Sequence, residues 1–243
     1  MKRFLSFTLV LWGIFGLGAV GYHSNDISSA TAANAQAFHP DNSIYEITAP
    51  DGAGFEAKGF AVTRYRLDAS QSRFMVRAFS GGPLWFKGHD HFIAVRDFSG
   101  EAQLTPGTIT PASLQITARA DSLAETRDVF TEQQKQIINR EMREVVLETA
   151  KYPEITFKST DITGKLAGMQ FEAKIGGDLT LHGVTRHIVI PAQVTLNGNT
   201  LRAQGEFTVK RGDYNVKATS AVHGLVRVRD KLKFTFDIVA HQY

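Results

Sequence analysis

Two histidines stand two residues apart in Gly88-His89-Asp90-His91, directly after Trp85-Phe86-Lys87. On an extended chain, side chains at i and i+2 share a face. The pair could therefore hold one metal ion or one polar head group. A zinc site needs three or four ligands, and His182, His187, Asp90 or Asp97 could complete one. There is no H-E-x-x-H and no other recognised ligand spacing, so a structural or head-group role is favoured and no metal ligand is assigned. His89 and His91 sit at a strand start, outside the alternating apolar positions. Replacing both by alanine is therefore expected to leave the fold stable.

Other chemistry finds little support. The absence of cysteine excludes a thiolate nucleophile, a Cys-bearing zinc or iron–sulfur site and a disulfide framework. No G-x-S-x-G elbow is present. Gly81-Gly82-Pro83 lacks the Lys-Ser/Thr of a phosphate loop. Asp97 and Glu101 read as readily as solvated charges as an acid and base, and Arg211-Gly212-Asp213 reads as a turn. No catalytic residue is assigned.

The elements that must position these residues are mostly strands. Leu114, Ile116, Ala118 and Ala120 alternate with polar residues, as do Leu201, Ala203, Gly205, Phe207 and Val209, and Leu232, Phe234, Phe236, Ile238 and Ala240. Period-two alternation with one apolar face marks antiparallel sheet. Further strands are expected at 72–79, 93–104, 155–162, 170–181, 186–196 and 222–228, with a hairpin at Asn197-Gly198. Thr131 to Thr149 contains neither Gly nor Pro and has Ile138, Met142, Val145 and Val146 at helical spacing. Thr131 with Gln134 resembles a capping box, and Pro153 follows as a stop. A single amphipathic helix among about nine or ten strands points to a barrel. Closing about eight strands leaves room for filling side chains or for one small ligand. Many of the 17 Phe fall in these strands, Phe74, Phe98, Phe207 and Phe234 among them.

The N-terminus reads as an export signal. Lys2 and Arg3 precede an apolar run from Phe4 to Val20, and small residues follow up to Ala37. Cleavage is expected near Ala35 or Ala37, which makes the protein periplasmic or secreted; an uncleaved anchor is the other reading. Residues 38–63 carry Pro40, Pro50 and Asp51-Gly52 and read as an extension. Residues 64–243 form the folded domain. Across the 243 residues, 27 Lys and Arg against 24 Asp and Glu give +3, too small a bias to imply nucleic acid.

Several segments in order resemble the bacterial YceI-like family: Tyr65-Arg66-Leu67-Asp68, Arg96-Asp97-Phe98-Ser99-Gly100, Ala120-Asp121-Ser122-Leu123, Lys151-Tyr152-Pro153-Glu154-Ile155-Thr156-Phe157, Leu179-Thr180-Leu181-His182-Gly183-Val184-Thr185 and Arg211-Gly212-Asp213-Tyr214. The resemblance covers roughly Arg64 to the C-terminus. It implies an extended antiparallel, lipocalin-like barrel closed by the helix, with a long apolar pocket for polyisoprenoids, quinones or other amphiphilic lipids. It carries over no catalytic set. The Gly88-His89-Asp90-His91 stretch departs from many members and marks a different head-group preference.

The favoured reading is a carrier for a long-tailed amphiphilic lipid rather than an enzyme. Each buried methylene gains roughly 0.8 kcal/mol, so a dry interior needs few polar contacts. The expected ligand-binding residues are His89, His91, Trp85, Phe86, Phe98, Ile138, Met142 and Phe234. No cofactor is expected beyond a bound isoprenoid lipid. The reading admits a homodimer and names no protein partner. The rival is a metal-dependent enzyme built on His89 and His91.

Overall fold

Residues 62–105, 110, 112–167, 170–221 and 225–243 are described by the structure, a computed structural model. The expected signal and nearly all of the extension lie outside them. Twelve strands run in chain order: β1 (Thr63–Leu67), β2 (Arg73–Gly81), β3 (His91–Val95), β4 (Phe98–Leu104), β5 (Ala112–Arg119), β6 (Leu123–Glu125), β7 (Glu154–Ala167), β8 (Gln170–Leu181), β9 (Val184–Asn197), β10 (Thr200–Lys210), β11 (Ser220–Ala221) and β12 (Val226–Gln242). The helix α1 (Glu132–Glu141) lies between β6 and β7 and runs on into a π turn, Met142–Val146.

All pairings are antiparallel, in the order β1-β4-β5-β7-β8-β9-β10-β12, and β12 returns to β1 through Tyr65↔Gln242 and Leu67↔Ala240. That closes an eight-stranded barrel with no free edge along this ring. Three neighbouring strands are each broken in the chain, at Asp68–Ser72, Arg96–Asp97 and Ala120–Ser122. Past the breaks, β2, β3 and β6 continue the same three lanes, with β2 on β12, β3 on β2 and β6 on β3. The strand expected over 93–104 is thus two strands separated by a corner. The corners are held by local polar bonds. Asp68 Oδ1 accepts from Ser70 N at 2.9 Å, and Ser122 Oγ donates to Arg119 O at 2.7 Å. These corners fall within, or directly after, the segments that carry the family resemblance.

The sequence reading separates 222–228 from 231–240. In the structure Val226 onward belongs to one long strand, β12, with a bulge between Val228 and Leu232 that lets a single strand serve both regions. The hairpin near Asn197 forms as expected, but its two central residues are Gly198 and Asn199, with Asn197 paired to Thr200.

The helix starts where its capping box predicts. Thr131 Oγ1 accepts from Gln134 N at 3.3 Å, and Gln134 Oε1 accepts from Thr131 N at 2.8 Å. Beyond its corner β6 pairs with β3 and not with β7. Asn139 of α1 meets β6 there, its Oδ1 accepting the Glu125 N–H at 2.8 Å. No helix among the described residues is long and apolar enough to cross a membrane.

Two of the segments that carry the family resemblance meet in space. His182 and Gly183 form the tight turn between β8 and β9, both at positive φ, 51° and 73°. The Tyr152 ring lies against this turn, 4.3 Å from the His182 ring, and a Cβ on Gly183 would come within 2.5 Å of it. Glycine is required there twice, for conformation and for space.

Candidate functional site

Alternation on β10 and β12 turns Leu201, Phe207, Val209, Leu232, Phe234, Phe236, Ile238 and Ala240 inward. Arg202, Gln204 and Asp237 on the other face form a solvated cluster, with Arg202 Nε donating to Asp237 at 2.7 Å. Along the inward face runs a row of rings. Phe207 and Phe234 are cross-strand partners stacked at 4.8 Å, Phe74 sits 6.2 Å from Phe234, and Phe98 meets Phe74 edge-on at 6.1 Å. Such arrangements are favourable beyond the area they bury. Phe236 extends the row by lying over Gly205, where a Cβ would approach the ring to 2.6 Å.

The interior is sealed at one end. There Tyr65, Leu104, Leu201 and Ala240 form a separate buried cluster, and Ala240 has no exposed area. Toward the helix end, Phe74, Ile93, Phe207, Leu232, Phe234 and Phe236 point inward and yet are only partly buried. Protein side chains alone do not shield this stretch of the interior from solvent. Met142 and Leu147 of the segment after α1 are buried in the main core, and Val146 packs against it. Ile138 is partly buried and lies outside that core, so the π turn supplies the covering side chains that the helical spacing assigned partly to Ile138.

At the same end stands a polar pair. His91 follows the inward register of Ile93 and Val95, and Glu125 pairs with Ile93. His91 Nδ1 and Glu125 Oε2 are 2.8 Å apart. The Glu125 side chain is wholly buried, and its carboxylate also accepts backbone N–H bonds from Phe92, Thr126 and Arg127 at 3.2, 3.0 and 2.8 Å. Burial works to raise its pKa. The His91 ring and these N–H donors outweigh burial and hold the carboxyl below the usual glutamate value. A carboxylate only accepts, so His91 Nδ1 donates to it and Nε2 faces away from this bond. The Phe130 ring stacks on His91 at 5.4 Å and meets His89 edge-on at 5.8 Å.

The two histidines therefore flank one aromatic ring but are not equivalent. His89 is exposed and, among the described residues, holds only that ring contact. His91 is tied to a buried charge, so the expectation that both can be replaced without harm to the fold is corrected: removing His91 leaves Glu125 short of a donor. Asp90, between them, is occupied as well. It accepts from Ser80 N at 2.9 Å and from Arg77 Nη2 at 2.6 Å. Burial, its largest influence, would raise its pKa, but these donors keep it lowered. Among the described residues no three His, Asp or Glu side chains converge as metal ligands.

Of the other expected ligand residues, Phe98 and Met142 are buried in the core and Phe234 is in the inward ring row. Trp85 and Phe86 form a short 3-10 turn outside the barrel, 55% and 62% exposed. Sequence reasoning missed Glu125, Phe130 and Asn139. Glu125 lies on a three-residue strand too short to show alternation, and nothing in the sequence pairs it with His91.

A family model described as a YceI-like domain matches residues 65–240. A UPF0312 protein of Vibrio cholerae serotype O1 is 36% identical over 96 residues, covering 40% of this chain and 46% of that protein. The chain thus spans about half the length of these relatives. Among solved structures, BcnA of Burkholderia cenocepacia superposes with a TM-score of 0.57 at 21% identity, over 71% of this chain and 98% of that one. A polyisoprenoid-binding domain from Saccharophagus degradans superposes with a TM-score of 0.53 at 18% identity, over 74% and 98%. At these identities the likeness establishes the fold.

Proposed function

The chain belongs to the YceI-like family, and we propose that its barrel carries a long-tailed amphiphilic lipid, of polyisoprenoid or quinone type, in the periplasm. One observation carries the reading: a row of inward phenylalanines left partly exposed, in a barrel plugged at the far end and polar at the near one. A ligand tail lying along Phe207, Phe234 and Phe74, with the buried Phe98 behind them, would complete the burial those three rings lack, at about 0.8 kcal/mol per methylene. Its head would lie near His91, whose Nε2 can meet a hydroxyl, carbonyl or phosphate oxygen, with His89 beside it. Met142 would cover the tail, Ile138 would sit at the rim, and Trp85 and Phe86 would stand at the mouth. The polyisoprenoid-binding domain that shares this fold supports the ligand class. Lys2, Arg3 and the apolar run to Val20 support export.

The protein is read as a binder and not an enzyme: the His91–Glu125 pair beside the apolar row is tied into the fold by backbone N–H bonds to the carboxylate, and no three metal ligands converge among the described residues. Phe234→Arg tests it. A guanidinium there must be desolvated beside the tail, costing several kcal/mol, and uptake of a fluorescent isoprenoid should fall sharply while circular dichroism stays native. A folded Phe234→Arg protein that binds as before would place the ligand elsewhere. One equivalent of zinc or iron in the native protein would favour the metal-dependent enzyme.

A further inference from the structure

The helix end of the barrel also carries the most exposed large aromatics among the described residues. Trp85 and Phe86 meet edge to face at 6.4 Å, and Leu225, 40% exposed, is fastened beside them by its carbonyl, which accepts the Leu84 N–H at 2.9 Å. Adjoining them is a groove of about 450 Å³ lined by Arg211, Arg227, Arg229, Asp230 and the Gly81–Gly82 backbone. Three guanidiniums there face one carboxylate, and Asp230 already accepts the Gly212 N–H at 2.9 Å.

Some exposed arginines elsewhere on the barrel are paired, as Arg77 is with Asp90, Arg119 with Asp121 and Arg202 with Asp237, while Arg64, Arg73 and Arg96 form no ion pair among the described residues. Among the described residues Lys87, Arg211, Arg227 and Arg229 form no ion pair, and the buried Nε of Arg211 has no partner. Lys210 and Lys231, directly opposite each other on β10 and β12, add like charge at this end. Groove and aromatics are locked together. Arg229 Nε donates to Ser80 O at 2.7 Å, and Ser80 Oγ donates to Trp85 O at 2.7 Å.

We propose that this face docks on an anionic phospholipid bilayer. Trp85 would enter the head-group layer, where its amphipathic ring is at home, with the apolar Phe86 ring beside it, and Lys87, Arg211, Arg227 and Arg229 would meet lipid phosphates. Unpaired cations beside exposed rings complement a negative interface; paired charges would not gain there. Docking sets the helix end of the barrel against the membrane. It stands apart from the identity of the barrel's ligand, and the two can fail separately.

The test uses the full chain with Trp12→Phe, so that Trp85 is the remaining tryptophan, and vesicles with brominated acyl chains. Trp85 emission should be quenched on vesicles of mixed phosphatidylglycerol and phosphatidylcholine and unaffected on phosphatidylcholine alone. Lys87→Glu with Arg227→Glu alters two side chains that make no hydrogen bond or ion pair, and should weaken the partition by about a hundredfold; salt should act in the same direction. Trp85→Ala with Phe86→Ala should also lower co-sedimentation. Attachment through the apolar run at 4–20 alone would not distinguish the two vesicle types, so equal quenching on neutral and anionic vesicles overturns the proposal. So does quenching that the charge reversal leaves unchanged, or none at all. Lipid retained in the barrel of the reversed variant would show that docking alone was lost.

Discussion

His91 and Glu125, 34 residues apart in the chain, meet at 2.8 Å on the inward side of the barrel at its helix end. The bond joins β3 to β6, and Asn139 of α1 takes the Glu125 backbone N–H. One buried carboxylate thus ties two strands and the helix together at the place where a ligand head would arrive.

Removing that carboxylate should be costly. Glu125→Ala takes this acceptor from the backbone N–H groups of Phe92 and Arg127 and from the His91 ring, while the Thr126 N–H keeps Phe92 O at 2.9 Å, and the expected loss is about 3 kcal/mol. Glu125→Gln keeps one acceptor oxygen and should lose less. Urea unfolding of the two variants checks the order.

The same group sets an acid limit. Its pKa is lowered in the folded state, so its contribution is present above the unfolded glutamate value of about 4.3 and is lost as pH falls through the folded value. Between pH 5 and pH 3 the wild type should lose more stability than Glu125→Gln. Equal losses in parallel denaturant titrations would mean that Glu125 does not sense this range.

The histidines should separate. His91→Ala is expected to cost about 2 kcal/mol, the worth of a hydrogen bond to a buried charge. His89→Ala should stay within about 0.5 kcal/mol, as at an ordinary surface position. Thermal melts of each single variant distinguish them, and equal shifts would contradict the asymmetry.

Much of this architecture is legible in the sequence. Alternation marks β10 and β12 and the inward position of Phe234, the capping box at Thr131 and Gln134 marks the helix start, and the signature segments point to the barrel. The breaks at Asp68–Ser72, Arg96–Asp97 and Ala120–Ser122 are not legible, because alternation resumes after each corner and a short gap looks like noise. The same limit hides the bulge that joins Val226 to β12. The role of Glu125 is invisible for another reason: it depends on which strand lies opposite β6, a long-range pairing with no local trace. Trp85 and Phe86 look like pocket walls by composition, whereas their turn holds them outside the barrel.

The turn at His182-Gly183 should tolerate no side chain at its second position. Gly183→Ala would place a Cβ against the Tyr152 ring at a positive φ, and about 2 kcal/mol of destabilisation is expected. Pairing it with Tyr152→Leu should recover part of the loss, which a double-mutant cycle by urea unfolding would measure.

The closed end should matter for stability and not for ligand. Leu201→Ala opens a void in the cluster with Tyr65, Leu104 and Ala240, at about 3 kcal/mol. Isoprenoid uptake by the folded fraction should stay near that of the wild type, in contrast to Phe234→Arg.

The central claim is that the partly exposed phenylalanine row is completed by a lipid tail. Mass spectrometry of an organic extract from gently purified protein tests it most directly. A long-chain isoprenoid or quinone at close to one molecule per barrel, absent from the extract of Phe234→Arg, is the predicted result. An extract free of such lipid, from a protein that also takes up none when it is supplied, would contradict it.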